Sequence, residues 1–204
     1  MTGIIDYGLG NLGSIKNMLK VIGEKAVITN DKAVLDSCDR LILPGVGAYD
    51  AGMSNIIELG LDGFIKDKTI KDGKPVLGIC LGMQLLGRKS DEGVLDGLGL
   101  IPFECKRFDV GSAGLKVPHM GWDIVDIKKD LPITRGLNDE RQRYYFVHSY
   151  YAKCDDENDI MMTCDYGVVF AAAVIHGNIM GVQFHPEKSH SFGMKLLTNF
   201  VKDY

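Results

Sequence analysis

At 204 residues, the chain carries 23 Lys and Arg against 27 Asp and Glu, a formal net charge of −4, with 46% hydrophobic residues and 25% charged ones. That composition suits one globular domain able to bury roughly 70% of the unfolded chain's surface, and its acidity, with no basic cluster beyond short groups such as Lys128-Lys129, argues against nucleic acid as the main partner. No apolar run approaches the roughly 18 residues of a membrane helix, MTGIIDYG lacks the basic and long apolar regions of a secretory leader, and five scattered cysteines, an odd number, fit a reducing cytoplasm better than a disulfide framework.

In chain order, GIID reads as a first strand. Gly8, Gly10 and Gly13 follow in a G-x-G-x-x-G spacing, with Asp31 about 20 residues further on, the pattern of a dinucleotide-binding turn. Ile15, Met18, Leu19 and Ile22 recur at helical spacing. Strands are expected at 26–29 and 40–43, a helix over 53–68, a strand over 74–79 and another helix that begins with Met83–Leu86. Continuously apolar strands separated by helices imply a parallel sheet covered on both faces. Beyond about Leu98 the texture turns β-rich, with segments at 123–127, 144–151, 168–175 and 179–184, and a helix over 191–201. The expectation is one continuous α/β domain with an antiparallel or mixed extension.

The most informative stretch is PVLGICLGMQLL. A buried strand runs into Gly78-Ile79-Cys80-Leu81-Gly82 and a helix starts at once, the cysteine version of the G-x-S-x-G elbow. Flanking glycines permit a sharp turn that lifts the nucleophile out of the sheet, where oriented amides favour a thiolate. The Leu81 amide is placed to donate into an oxyanion hole. The alternative is a buried cysteine between packing glycines. A base is offered by Gln183-Phe184-His185-Pro186-Glu187-Lys188: in extended backbone His185 and Glu187 point the same way, and a carboxylate beside imidazole fixes its tautomer. A surface turn holding His and Glu is the plain alternative. The turn Pro44-Gly45-Val46-Gly47 can aim free N–H groups at an oxyanion, or simply end a strand.

Together PGVG, GICLGMQLL and QFHPEKS, in this order, resemble the class I (triad) glutamine amidotransferases, most closely the glutaminase subunits of imidazole glycerol phosphate synthase, with DYGLGN, PHMGW and YFVHSY in support. The resemblance implies a three-layer, flavodoxin-like α/β sandwich and a triad of Cys80, His185 and Glu187. It implies an oxyanion hole from Leu81 and the turn Gly45, Val46 and Gly47, and a glutamine pocket of Gln84, Glu92, Ser149 and Tyr150. Partners would be L-glutamine and a synthase (cyclase) subunit, held as a heterodimer with an ammonia channel at the interface. Asn11, Ser14, Met120, Trp122 and Lys188 are the interface candidates; Trp122 as a core aromatic and Lys188 as a solvated charge are the alternatives. In this reading the first glycine turn lies near the partner, and the nucleotide reading falls away. His119 is expected on an interface or loop, His176 and His190 at the surface, and His148 near the pocket without a carboxylate. No metal or organic cofactor is expected.

Two departures fall on segments expected to face the partner: Asp123 follows PHMGW where the family usually has asparagine, and His190-Ser191-Phe192-Gly193-Met194 follows EKS. The KSHSFGM ending looks like paralogues that supply ammonia for amidino sugars of bacterial surfaces. Two other readings are a non-catalytic scaffold, which intact Cys80, His185 and Glu187 disfavour, and a cysteine peptidase or isomerase, which Gln84, Glu92 and PGVG disfavour.

Overall fold

The computed structural model describes residues 1–111 and 114–204. Its first half runs β1 (Thr2–Ile5), α1 (Leu12–Val21), β2 (Ala26–Thr29), α2 (Lys32–Asp36), β3 (Arg40–Leu43), α3 (Tyr49–Glu58), α4 (Leu61–Lys66), β4 (Val76–Ile79) and α5 (Leu81–Leu86). The rest is β5 (Lys89–Ser90), β6 (Phe103–Arg107), β7 (His119–Ile124), β8 (Asp126–Ile127), β9 (Arg143–His148), β10 (Tyr150–Cys154), β11 (Ile160–Asp165), β12 (Val169–His176), β13 (Ile179–Val182) and α6 (His190–Asp203).

The main sheet has the order β2-β1-β3-β4-β13-β12-β10-β6-β5, with β11 and β8 off this path. From β2 to β13 every pairing is parallel. β12 then runs antiparallel to β13, and β10 antiparallel to β6, as the β-rich second half implied. β7 and β9 form a separate two-stranded sheet. Side chains alternate across the pleat, so Ile4, Ile42 and Leu77 enter one core with Ile15, Leu19 and Phe200, while Ile5, Leu41 and Val76 enter the other with Met53, Ile56 and Leu61. Helices α1 and α6 thus cover one face and α3, α4 and α5 the other, giving three layers.

Several expected boundaries move. The helix expected over 53–68 is broken: Gly60, at φ 61°, ends α3 and starts α4, and a π-helical turn (Asp67–Lys71) follows. The segment expected over 144–151 divides at Ser149 into β9 and β10, which join different sheets. β6, β11 and α2 were not foreseen.

The join between β4 and α5 is closely packed against backbone. A Cβ on Gly82 would stand 1.8 Å from the Leu43 carbonyl oxygen, and one on Gly78 2.7 Å from the Gly82 oxygen. Both obstacles are backbone, so neither can rotate aside. Gly82→Ala is expected to destabilise the fold by at least about 3 kcal/mol, or to prevent folding. Urea unfolding measures this; a midpoint shift worth less than about 1 kcal/mol would contradict the close packing.

Candidate active site

Cys80 sits at this join with φ 54° and ψ −111°, a left-handed backbone unusual for a residue with a Cβ. Its amide donates to Val182 O at 2.8 Å, so pairing between β4 and β13 continues to the turn itself. The sequence elbow is therefore present, with α5 starting at Leu81 rather than at Met83. Sγ lies 4.0 Å from Val147 O and 3.8 Å from Gln183 Nε2.

His185 follows β13, its amide donating to Tyr145 O at 2.9 Å. Its Nδ1 meets Glu187 Oε1 at 2.8 Å, with both side chains 1% exposed. A carboxylate only accepts, so Nδ1 carries the proton, and among the described residues the buried Nε2 has no hydrogen-bond partner. The two side chains meet for a different reason from the expected one. The backbone is extended only at His185; Pro186–Lys188 is a 3-10 turn that curls Glu187 back. Ser189 fixes the turn, its Oγ donating to His185 O and accepting from the Tyr145 amide. Burial pulls the His185 pKa down, but Cys80 and Glu187 outweigh it and raise it to about 9.

Cys80 and His185 open into one pocket of about 320 Å³. Its lining includes Leu81, Val46, Gly47, Gln84, Glu92, Ser149 and Tyr150, all expected from the sequence. Gly45, also expected there, stands behind the wall: a Cβ on it would meet Tyr7 Oη at 2.5 Å and Gly82 N at 2.7 Å. Burial, with Asp50 adding to it, raises the Glu92 carboxyl against the lowering effect of a Tyr49 backbone hydrogen bond. Asp50 also accepts from the amides of Val94 (3.0 Å) and Leu95 (3.1 Å), anchoring the loop after Glu92. This acidic residue on α3 went unnoticed in the sequence.

His119 departs from expectation. It is buried on β7, not on a loop, because β7 pairs with β9 in register with His148. The rings meet at 3.0 Å (His119 Nδ1 to His148 Nε2), and His148 Nδ1 donates to Tyr150 O at 2.7 Å. Burial lowers both imidazoles, His148 to about 3, although the Tyr150 carbonyl raises His148 and Asp123 raises His119. His176 and His190 are exposed.

Met120 and Trp122 are 61% and 43% exposed, which removes the core reading of the tryptophan. Trp122 stacks on His190 at 5.5 Å, and the Arg143 guanidinium lies 5.9 Å from its ring. Lys188 Nζ stands 5.6 Å from the Tyr145 ring. Asn11 accepts from Ser14 Oγ and donates to Glu187 Oε1 at 3.5 Å, so these two interface candidates adjoin the His–carboxylate pair. No group of three or more His, Cys, Asp or Glu side chains among the described residues could hold a metal ion. Nor, among them, is any helix long and apolar enough to cross a membrane.

A cysteine at a strand–helix elbow, with a buried imidazole–carboxylate pair in its pocket, places the molecule among α/β proteins that carry a cysteine elbow at the end of a parallel strand. The family model for glutamine amidotransferase class-I matches residues 3–204. The chain is 51% identical, over 99% of each sequence, to imidazole glycerol phosphate synthase subunit HisH 2 of Methanococcus maripaludis. It is 48% identical, again over 99% of each, to the protein of the same name from Pseudomonas aeruginosa. The structure of PurLQS from Thermotoga maritima shares the fold at a TM-score of 0.76 and 20% identity, covering 99% of this chain and 97% of that one. The chain belongs to the class-I glutamine amidotransferase family.

Proposed function

We propose that the chain, acting as one domain, hydrolyses L-glutamine to glutamate and ammonia and delivers the ammonia to a cyclase subunit for imidazole glycerol phosphate formation in histidine biosynthesis. The observation that carries this reading is the pocket in which Cys80, His185 and the polar groups of Gln84, Glu92, Ser149 and Tyr150 converge.

Cys80 passes its thiol proton to Nε2 of His185, the resulting thiolate attacks the side-chain amide carbon of glutamine, and the carbonyl oxygen takes up the negative charge. The Leu81 amide and an amide of the 45–47 turn receive that charge. As the C–N bond breaks, His185 gives its proton from Nε2 to the leaving nitrogen, releasing ammonia and leaving a γ-glutamyl thioester. His185 then takes a proton from water, the hydroxide adds to the thioester, and as the C–S bond breaks His185 returns that proton to the departing sulfur, giving glutamate and the Cys80 thiol. Glu187, hydrogen-bonded to Nδ1, holds the ring in the tautomer that both steps need. Glu92 suits the ammonium group of the substrate, and backbone amides suit its carboxylate.

Delivery to a partner follows from the chemistry of the product. Ammonia released to water at neutral pH is protonated and loses its nucleophilicity, so a closed interface is needed. Trp122 and Met120 offer exposed apolar anchors for it, and Asn11, Ser14 and Lys188 are the further interface candidates. Trp122 stacked on His190 marks this face as unlike the usual family pattern. A synthase that makes amidino sugars is therefore the second reading of the acceptor.

Glutamate release by the full chain, alone and with each partner, tests both. A cyclase with its nucleotide substrate is expected to raise a feeble basal rate by orders of magnitude. Activation by a sugar-modifying synthase alone would transfer the pathway, and no turnover with any partner would leave only the scaffold reading.

A further inference from the structure

Gln183 is wholly buried and plays no part in the steps above. Its environment fixes which way its amide points. Tyr150 O is a backbone oxygen and only accepts, so the group 3.3 Å away on Gln84 is its NH2. The same Gln84 nitrogen lies 3.0 Å from the Gln183 side chain, which must present an oxygen to it. The planar amide of Gln183 then turns its own NH2 away from Gln84, and that nitrogen is the one 3.8 Å from Cys80 Sγ. The direction of every hydrogen bond in this chain is set by one carbonyl.

We propose that Gln183 is a further catalytic residue, which donates an N–H to the Cys80 sulfur and steadies the thiolate before attack and again as the thioester opens. This rests on the reading of Cys80 as nucleophile. A thiol sulfur is a weak acceptor and a thiolate a strong one, so the bond gains most in the reactive form. Gln183 is shielded from bulk solvent. The nearby Val147 carbonyl acts in the opposite sense, since it accepts from a thiol and repels a thiolate. Gln183 is the neutral donor that offsets it.

The chain also links substrate to sulfur. With both N–H groups of Gln84 directed inward, its Oε1 remains the acceptor available to the pocket, and an ammonium group suits it. A hydrogen bond received there polarises the amide and strengthens its donation to Gln183 and, through Gln183, to Sγ.

The titratable groups around this sulfur are His185 with its Glu187, Tyr7, and the pocket's His148 and Glu92. A neutral replacement at 183 leaves all of them in place. Gln183→Met keeps an unbranched chain of similar length but has no N–H; Gln183→Asn keeps the amide and withdraws it by one methylene. Iodoacetamide alkylation, located at Cys80 by peptide mass, is followed against pH in the purified full chain. Glutamate release with the activating partner gives kcat and KM, and thermal melting identifies a variant that fails to fold.

Both variants are expected to move half-maximal alkylation upward by about one pH unit and to lower kcat by about tenfold or more. KM for glutamine should stay within about threefold. An unchanged alkylation profile in a folded variant, with the loss expressed in KM, would overturn the proposal and leave Gln183 as a seat for Gln84. If alkylating wild-type Cys80 leaves hydrolysis intact, the nucleophile reading itself fails, and the catalytic role of Gln183 with it.

Discussion

Cys80→Ala is expected to lower glutamine hydrolysis by about 10⁴-fold or more, while the chain still folds and still supports synthesis from added ammonia in the assembled complex. Covalent catalysis divides amide hydrolysis into two easier steps, and without the sulfur neither exists. The pocket holds no second thiol to substitute. Cys38, Cys105 and Cys164 are buried elsewhere, and Cys154 lies on β10 outside the pocket lining. Cys105, Cys154 and Cys164 are also held protonated by burial, with nearby carboxylates adding to it. Alanine keeps the unusual backbone of position 80 without adding bulk, so the elbow survives. Glutamate release and ammonia-dependent product formation, measured on one preparation, separate the two activities. Equal loss of both would point to a collapsed interface, and retained glutaminase activity would mean that another group attacks the amide.

The chemistry was legible wherever it depended on local backbone. PVLGICLG combines a run of apolar residues with glycines on both sides of a cysteine, and each feature constrains a neighbour in the chain. The elbow therefore follows from about eight residues. β6, in FECKR, escaped because its outward positions carry Glu104 and Lys106, whose charges mask the buried Phe103 and Cys105. β11 escaped because Met161 and Met162 carry little strand preference, and its pairing with β12 is interrupted by register shifts. The expected long helix failed at Gly60, where a left-handed residue allows the chain to turn within an otherwise apolar pattern.

Contacts across the fold were not legible. His119 follows Pro118 and stands two residues before Gly121, which reads as a loop, yet pairing of β7 with β9 carries it inside. Gln183 sits in a buried strand extension, 103 residues from the sulfur it faces and 99 from the glutamine that orients it. A single glutamine in VQFHPE carries no local mark of either neighbour. Asp50 likewise reads as an ordinary first-turn acid on α3, and its hold on the loop after Glu92 exists only once the layers are packed.

Glu187→Gln is expected to lower kcat by about 10²- to 10⁴-fold with KM nearly unchanged, because the carboxylate acts on His185 and not on glutamine. The size is isosteric, so the Asn11 contact and the 3-10 turn persist; what disappears is the charge. A glutamine amide can meet Nδ1 with its oxygen or its nitrogen, and the second choice moves the ring proton to Nε2, the wrong end for a base. The pH dependence has a definite sign. Burial opposes the imidazolium, and Glu187 is one of the two groups that raise His185 to about 9. Removing that charge lowers the value, so the alkaline limb of the rate profile moves to lower pH. Stability follows the same linkage. A histidine whose folded pKa exceeds the ordinary 6.5 contributes stability that is fully present below about pH 6.5 and lost as pH rises through about 9. In Glu187→Gln that loss is smaller and finishes at lower pH, so the melting temperature should fall less steeply between pH 6.5 and 9 than in the wild type. Parallel melting curves over this range, together with a kcat within about threefold of wild type, would show that the buried carboxylate neither holds nor charges the imidazole.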